Sequence, residues 1–278
     1  MNKVTKILLF SGGSDSVLIS HLYKPDFLVY IDMGTAYADA ELEKIKSGIF
    51  KDDPRLRIID FKVLGRYERQ SDAILPLRNM YLPMIVCNEF PVEEYGDLDI
   101  CLGATASDRI LDKDPTFVEK FNDVINYLYL PQHWIPQGRK VRLNVDYKKY
   151  TKTEMLKLFK DQGGDIEELE KQSFSCYDPV KVGERLEECW CRNGICKSCF
   201  RKYTAYKLNG MDFNHINSNI DTWVCEAIKA EILPQIQSGI YNRGKEEEEI
   251  KQVLKIYQEE YPQNIDRNLY NPTNHRKQ

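Results

Sequence analysis

Residues 7–20 decide how this chain is interpreted, and they run Ile-Leu-Leu-Phe-Ser-Gly-Gly-Ser-Asp-Ser-Val-Leu-Ile-Ser. The stretch opens with an apolar run typical of a buried parallel strand and closes with one that continues as a helix. Between them, a glycine pair lets the backbone approach a phosphate, and the start of a helix favours negative charge. Three serines add hydroxyl donors, and Asp15 adds a carboxylate of the kind that holds Mg²⁺. This context predicts a phosphate-binding loop, the alternative being an ordinary tight turn between a strand and a helix.

The composition is that of a globular protein with one main domain and appendages. The 278 residues are 42% hydrophobic and 29% charged. A net charge of −4 argues against a large nucleic-acid footprint. No apolar run approaches the roughly 20 residues that span a bilayer, and the first residues lack a signal-peptide pattern. We therefore expect a cytoplasmic protein without membrane contacts, whose 8 cysteines stay reduced.

Apolar runs alternate with helical patterns through the first half of the chain. Strands are predicted at 7–10, 27–31, 56–63, 98–103 and 141–145, and helices at 38–50, 77–90, 117–130 and 151–161. This alternation is typical of an α/β protein with a doubly wound parallel sheet, which binds ligands at the carboxyl ends of its strands. Thr151 or Thr153 is expected to cap the last of these helices.

Five cysteines fall within 24 residues: Cys176, Cys189, Cys191, Cys196 and Cys199. Cys196 and Cys199 have the C-x₂-C spacing that lets two thiolates reach one tetrahedral ion. The cluster predicts a structural zinc site, with a redox or iron–sulfur role as the alternative. The three other cysteines are expected to be ordinary buried side chains.

The glycine loop resembles the Ser-Gly-Gly-x-Asp-Ser signature of the PP-loop ATP pyrophosphatases, and it lacks the lysine of a Walker loop. Residues 175–177, Ser-Cys-Tyr, followed by the C-x₂-C pair, resemble the zinc segment of the 7-cyano-7-deazaguanine synthase family of queuosine biosynthesis. Three further stretches resemble that family in order. They are Leu-Pro-Leu-Arg-Asn at 75–79, the glycine, aspartate and Pro-x-Phe pattern at 100–117, and Thr-Lys-Thr-Glu at 151–154.

The resemblance implies a PP-loop, HUP-like sheet and an ATP-dependent carbon–nitrogen ligase. Such an enzyme adenylates 7-carboxy-7-deazaguanine, releases pyrophosphate and uses ammonia to form the nitrile. The implied cofactors are ATP, Mg²⁺ and Zn²⁺. On this basis we divide the chain into a PP-loop ATP-binding α/β domain (1–170), a zinc-binding segment (171–207) and a C-terminal helical extension (208–278).

The resemblance also implies roles for particular residues. The ATP loop maps to Phe10, Ser11, Gly12, Gly13, Ser14, Asp15, Ser16, Val17, Leu18, Ile19 and Ser20. Catalytic roles are implied for Asp15, Arg78 and Lys152, and substrate binding for Arg78, Asn79 and Asp108. From the residues alone, Arg78 also suits a surface salt bridge, Lys152 a helix start facing water, and Asp108 an ordinary loop.

The implied zinc ligands are Cys176, Cys191, Cys196 and Cys199. The usual pattern in the family is Cys-Gly-x-Cys-x-x-Cys, whereas here two extra residues stand between Cys191 and Cys196. Cys189 is the alternative to Cys191, because two ligands flanking Trp190 would sit awkwardly around one ion.

Two departures from the family pattern leave the substrate open. After the second strand the family typically has Asp-Tyr-Gly-Gln and a nearby histidine, whereas residues 32–35 are Asp-Met-Gly-Thr without that histidine. Residues beyond about Leu208 have no counterpart in the compact family pattern, and they are a candidate surface for a homodimer or a protein partner.

The remaining alternatives are a ligase for another carboxylate, an RNA-modifying PP-loop enzyme, and a zinc module for a protein partner on a degenerate nucleotide fold. The acidic balance counts against RNA, and the intact glycine loop counts against the module.

Overall fold

The computed structural model describes residues 3–36, 38–71, 74–176, 178–183 and 185–262. Tyr177 of the zinc-segment motif and residues 263–278 of the predicted extension lie outside the described residues. The chain forms two compact units, residues 1–149 and 150–278. The division at 170 and 207 stays a prediction, and both of those boundaries fall inside the second unit.

The first unit is built on a parallel five-stranded sheet in the order β3-β2-β1-β4-β5. Its strands are β1 (Val4–Leu9), β2 (Phe27–Asp32), β3 (Leu56–Asp60), β4 (Asp97–Leu102) and β5 (Val141–Asn144). All five predicted strands and the doubly wound α/β class are confirmed. Leu9 of β1 pairs with Leu102 of β4, so these two strands end side by side. The strand order reverses between them, and open α/β sheets bind ligands outside such a point.

The helices described in this unit are α1 (Ser14–Tyr23), α2 (Ala38–Ser47), α3 (Arg78–Glu89), α4 (Val92–Tyr95) and α5 (Pro115–Leu128). Helix α5 begins after Asp114, whose carboxylate accepts a 2.7 Å hydrogen bond from the Phe117 N–H. Fully buried side chains of the strands and α3, among them Ile7, Val86 and Ile100, form the core beneath these helices.

The second unit is mostly helical around α8. Its elements are α6 (Lys152–Asp161), α7 (Ile166–Gln172), the hairpin strands β6 (Val180–Val182) and β7 (Arg185–Glu187), α8 (Lys197–Leu208), α9 (Ile220–Ala227), α10 (Leu233–Gln237) and α11 (Lys245–Glu260). Helices α6, α9 and α11 all pack against α8, which buries Phe200 and Tyr203 completely. The predicted helical extension is therefore present as α9 to α11. Within the described ranges, no helix has both the length and the apolar surface that crossing a bilayer requires.

Candidate active site and metal centre

The glycine loop carries β1 into α1 as predicted. Gly12 has a φ of +72°, the left-handed region that favours glycine, and Gly13 is the N-cap residue of α1. Because Gly13 has no side chain, no side-chain cap covers the first turn of the helix. Asp15 lies in that first turn. The loop therefore offers backbone N–H groups and a helix N-terminus at the carboxyl end of the central strand.

The loop serines are used partly to shape the loop itself. The Ser16 hydroxyl donates to the Gly13 carbonyl at 2.9 Å and accepts the Ser11 N–H at 3.3 Å. The Ser11 hydroxyl accepts the Gly13 N–H at 3.4 Å. Side chains at both ends of the predicted nucleotide stretch are buried in the protein: Phe10, Val17, Leu18, Ile19 and Ser20. Ser14 and Ser16 in the middle of the stretch are buried too, and contact with a nucleotide by residues 10–20 stays a prediction.

The loops that leave β2 and β3 are held tightly together. Asp32 is buried, accepts the Gly34 N–H at 3.0 Å and lies 3.3 Å from the Lys62 ammonium. A Cβ atom added to Gly65 would lie only 2.1 Å from the Gly34 carbonyl oxygen, so only glycine fits there. Beside this contact is a cavity of about 420 Å³, lined by Ala36, Gly65, Arg66, Glu68, Arg69 and Gln70.

Arg78 and Asn79 open helix α3. Asn79 is buried, whereas Arg78 is exposed. Burial raises the pKa of Glu41 and of Tyr30, and the positive charge of Arg78 opposes that rise at both groups. The Tyr30 hydroxyl lies 3.3 Å from the Glu41 carboxylate. Arg78 thus acts electrostatically on one acidic residue of α2, Glu41, a connection that no spacing in the sequence indicates.

Asp108 stabilises the loop that leaves β4. Its carboxylate accepts the Thr105 N–H at 2.9 Å, and its carbonyl accepts a 2.7 Å hydrogen bond from Lys148. A Cβ atom added to Gly103 would lie 3.6 Å from Ile19, so this loop runs against α1. The structure therefore brings the Asp108 loop next to the glycine-loop helix, with one Asp108 oxygen engaged in the loop.

Lys152 is the first residue of α6 in the second unit. Thr151 caps this helix through a complete capping box, in which its hydroxyl accepts the Glu154 N–H at 3.1 Å. The Glu154 carboxylate in return accepts the Thr151 N–H at 2.9 Å and pairs with Lys245 of α11 at 2.6 Å. The Thr151 hydroxyl also hydrogen-bonds to Glu249 of α11. Of the two predicted caps, Thr151 is the one used.

Four cysteine sulfurs converge in the second unit. They belong to Cys176, Cys189, Cys196 and Cys199, all buried, and they lie within 4.8 Å of one another. The Cys189 and Cys199 sulfurs are 3.7 Å apart. A tetrahedron with Zn–S bonds of about 2.3 Å has edges of about 3.8 Å, so this donor set fits one zinc ion. The sulfurs are too close together to surround a polynuclear iron–sulfur cluster.

The predicted choice of Cys191 over Cys189 is wrong in this geometry. Trp190 and Cys191 both have positive φ values, 46° and 61°, so the backbone turns sharply after Cys189. This turn sends Cys189 to the other three sulfurs and turns Cys191 aside. The Cys191 sulfur instead accepts the Cys196 N–H at 3.4 Å, and burial raises the pKa of this thiol. The converging set therefore contains Cys189, the alternative named from the sequence, and only one of the two cysteines that flank Trp190.

The family model of the queuosine biosynthesis protein QueC matches residues 58–210, from β3 through α8. That span contains Arg78, Asn79, Asp108, Lys152 and the cysteine segment, whereas the glycine loop precedes it. No curated protein sequence matches significantly.

The crystal structure of a predicted subunit of tRNA methyltransferase from Methanocaldococcus jannaschii is similar at 15% identity and a TM-score of 0.34. The match covers 67% of this chain and 98% of that one. The family match covers more than half of the chain, and it agrees with the parallel sheet and the four-cysteine cluster. The chain belongs to the queuosine biosynthesis protein QueC family of ATP-using PP-loop enzymes.

Proposed function

We propose that this protein adenylates a carboxylate with ATP, and that its substrate is 7-carboxy-7-deazaguanine, which it converts with ammonia to 7-cyano-7-deazaguanine. The observation that carries the proposal is the glycine loop at the carboxyl end of β1, in a chain of this family. A left-handed Gly12 followed by a helix without a side-chain cap suits a bound phosphate chain. The absence of a Walker lysine favours cleavage to AMP and pyrophosphate.

The proposed reaction has two activations. A carboxylate oxygen attacks the α-phosphorus of ATP and displaces pyrophosphate, and ammonia then attacks the acyl-adenylate carbonyl and displaces AMP. The oxygen of the resulting amide attacks a second ATP in the same way. Loss of that AMP, with the remaining N–H protons, leaves the nitrile. Two ATP molecules are thus consumed for each nitrile formed.

The residues supply binding and charge rather than a covalent nucleophile. The N–H groups at the start of α1 stabilise negative charge on the phosphates. Arg78 is proposed to orient the carboxylate, with Asn79 and Asp108 as further substrate contacts. Lys152 is proposed to neutralise phosphate charge. Asp15 would hold Mg²⁺, which supplies charge neutralisation on the departing pyrophosphate. Four sulfurs would complete a structural zinc site, which leaves no position open for substrate.

A second candidate is a ligase of the same chemistry acting on another carboxylate. The features that favour it are the Asp-Met-Gly-Thr sequence after β2 and the adjoining cavity with Arg66 and Arg69. Two guanidinium groups suit an acid with a further anionic group.

The test is an assay of purified, zinc-loaded protein with ATP, Mg²⁺, ammonia and 7-carboxy-7-deazaguanine. We expect a product with the mass of the nitrile and two AMP for each product molecule. Asp15→Asn should lose turnover by orders of magnitude. The exposed Asp52→Asn variant is the matched control and should retain it.

ADP and phosphate as main products would overturn the adenylation proposal. Pyrophosphate release only with another carboxylate supports the second candidate, and release only with RNA points to an RNA-modifying enzyme.

A further inference from the structure

We propose that Lys202 is a positioning residue of the four-cysteine centre, and that its buried ammonium ties together the three chain segments that carry the sulfurs. The inference rests on the metal centre but not on the proposed reaction, so metal binding tests it independently of catalysis. Lys202 stands three residues after Cys199 on α8.

The surroundings of Lys202 are those of a fixed charge. Its side chain has no exposed surface. The ammonium donates to Glu188 at 2.8 Å, to Glu170 at 2.9 Å and to the Ser173 carbonyl at 3.4 Å. A lysine ammonium has three N–H donors, and three acceptors surround this one. The Trp190 ring lies 5.3 Å from the same nitrogen, within the range of a cation–π contact.

These partners connect to the sulfurs through the backbone. Glu188 directly precedes Cys189, and its second carboxylate oxygen accepts the Ser175 N–H at 2.7 Å, one residue before Cys176. The Cys189 N–H in turn donates to the Cys176 sulfur at 3.3 Å. The Lys202–Glu188 pair therefore joins the segment before Cys176, the segment before Cys189 and the helix that carries Cys199.

Charge gives this arrangement a role that packing alone does not explain. Four thiolates carry two more negative charges than one Zn²⁺ neutralises, and the Glu188 and Glu170 carboxylates lie on the neighbouring segments. Replacing a buried ion pair by apolar side chains is often neutral for stability, whereas removing only its cation leaves an uncompensated buried charge. Without Lys202, Glu188 would remain unpaired one residue from a sulfur ligand. We therefore expect the ligand segments to separate and to hold the metal less tightly.

The test is metal affinity in Lys202→Met, with Lys207→Met as the control. Lys207 lies on the same helix and is nearly as buried, but it pairs with Asp221 at 3.1 Å and Glu260 at 2.8 Å. Each protein is loaded with Co²⁺, whose thiolate charge-transfer and ligand-field bands report the sulfur geometry, and is titrated with a competing chelator. Loss of a partner outside the ligand set typically weakens metal binding about 10–100-fold. We expect a loss of Co²⁺ affinity in that range for Lys202→Met and no loss for Lys207→Met. Lys202→Arg should recover part of the affinity.

A folded Lys202→Met protein with wild-type bands and affinity would overturn the inference. If that variant does not fold, Glu188→Gln replaces it, since the amide oxygen still accepts the Ser175 N–H but the charge is gone. Unchanged affinity in Glu188→Gln would then overturn the inference. Failure of the wild type to bind any metal removes the centre and the inference together. Tight metal binding without AMP formation refutes the proposed reaction and leaves the inference standing.

Discussion

Gly12 holds the backbone conformation on which the phosphate loop depends. Its φ of +72° strains any other residue, and an added Cβ atom would lie 3.1 Å from Ile45 of α2. We expect Gly12→Ala to lower stability by about 1–2 kcal/mol, the usual cost of a left-handed L-residue, and to weaken ATP binding. Denaturant unfolding and ATP titration measure the two effects.

Gly183 provides the matched control for that substitution. It has a φ of +63° in the β6–β7 turn, and nothing lies within 4 Å of an added Cβ atom. Gly183→Ala should lose a comparable stability and retain ATP binding. Wild-type ATP affinity in Gly12→Ala would contradict the account of the loop.

Cys189 and Cys191 are predicted to respond differently to substitution. Cys189→Ala removes one of four converging sulfurs, so zinc content should fall and the protein should become less soluble or melt lower. Cys191→Ala removes a buried thiol outside that set, and its zinc content should stay at one ion per chain. Elemental analysis distinguishes them. The reverse pattern would restore the ligand set predicted from the sequence.

At the scale of residues, the sequence predicted which chemical groups form the sites better than it predicted the backbone conformation. The glycine loop and the presence of a sulfur cluster followed from residue types and spacing. The choice between Cys189 and Cys191 depended on two positive φ values at non-glycine residues, which the local sequence does not require. The ion pair of Lys202 with Glu188 and the effect of the Arg78 charge on Glu41 join residues of different elements, so no local pattern reveals them.

At the scale of elements, hydrophobic periodicity located the strands of the sheet. The third strand was predicted to continue to Val63, but β3 ends at Asp60 and a 3₁₀-helix spans Lys62–Tyr67. The reason is the close approach of Gly65 to Gly34 in the loop after β2. An apolar run indicates which side chains are hydrophobic, but it does not indicate this contact. The end of β3 could therefore not be predicted from the sequence.

The capping box of α6 gives a prediction for the helix that begins with Lys152. Thr151→Ala removes the acceptor for the Glu154 N–H and the hydroxyl that contacts Glu249. We expect a loss of about 1 kcal/mol in the free energy of unfolding, the usual cost of a lost N-cap. Thr151→Ser keeps the hydroxyl and should lose much less. Equal stability of the two variants in urea unfolding would show that the cap contributes nothing.

The same box predicts a pH dependence. Burial raises the pKa of Glu154, but the hydrogen bond from Lys245 and the Thr151 N–H outweigh it, so the pKa lies below the ordinary 4.5. A depressed carboxyl pKa stabilises the fold above the ordinary value, and the contribution is lost as the pH falls through the folded-state pKa. Glu154→Gln should therefore destabilise the protein at pH 7 and lose its effect in acid. An effect that stays constant across this range would contradict the assignment.

At the scale of the whole molecule, the family match and the glycine loop support the account from different parts of the chain. The match runs from residue 58 to residue 210 and includes the cysteine segment. The loop at 11–16 lies before it and is supported by its own conformation. The substrate followed from neither, because the loop after β2 departs from the family pattern and α11 lies beyond the matched residues.

Oxygen transfer tests the central claim, adenylation of a carboxylate, most directly. 7-Carboxy-7-deazaguanine labelled with ¹⁸O in both carboxylate oxygens is incubated with ATP, Mg²⁺, ammonia and the purified protein. The AMP is then analysed by mass spectrometry. In the proposed reaction each activation moves one substrate oxygen to the α-phosphate, so both AMP molecules carry one ¹⁸O and the nitrile carries none. AMP without ¹⁸O, with the label retained in the acid or released to water, would contradict the account.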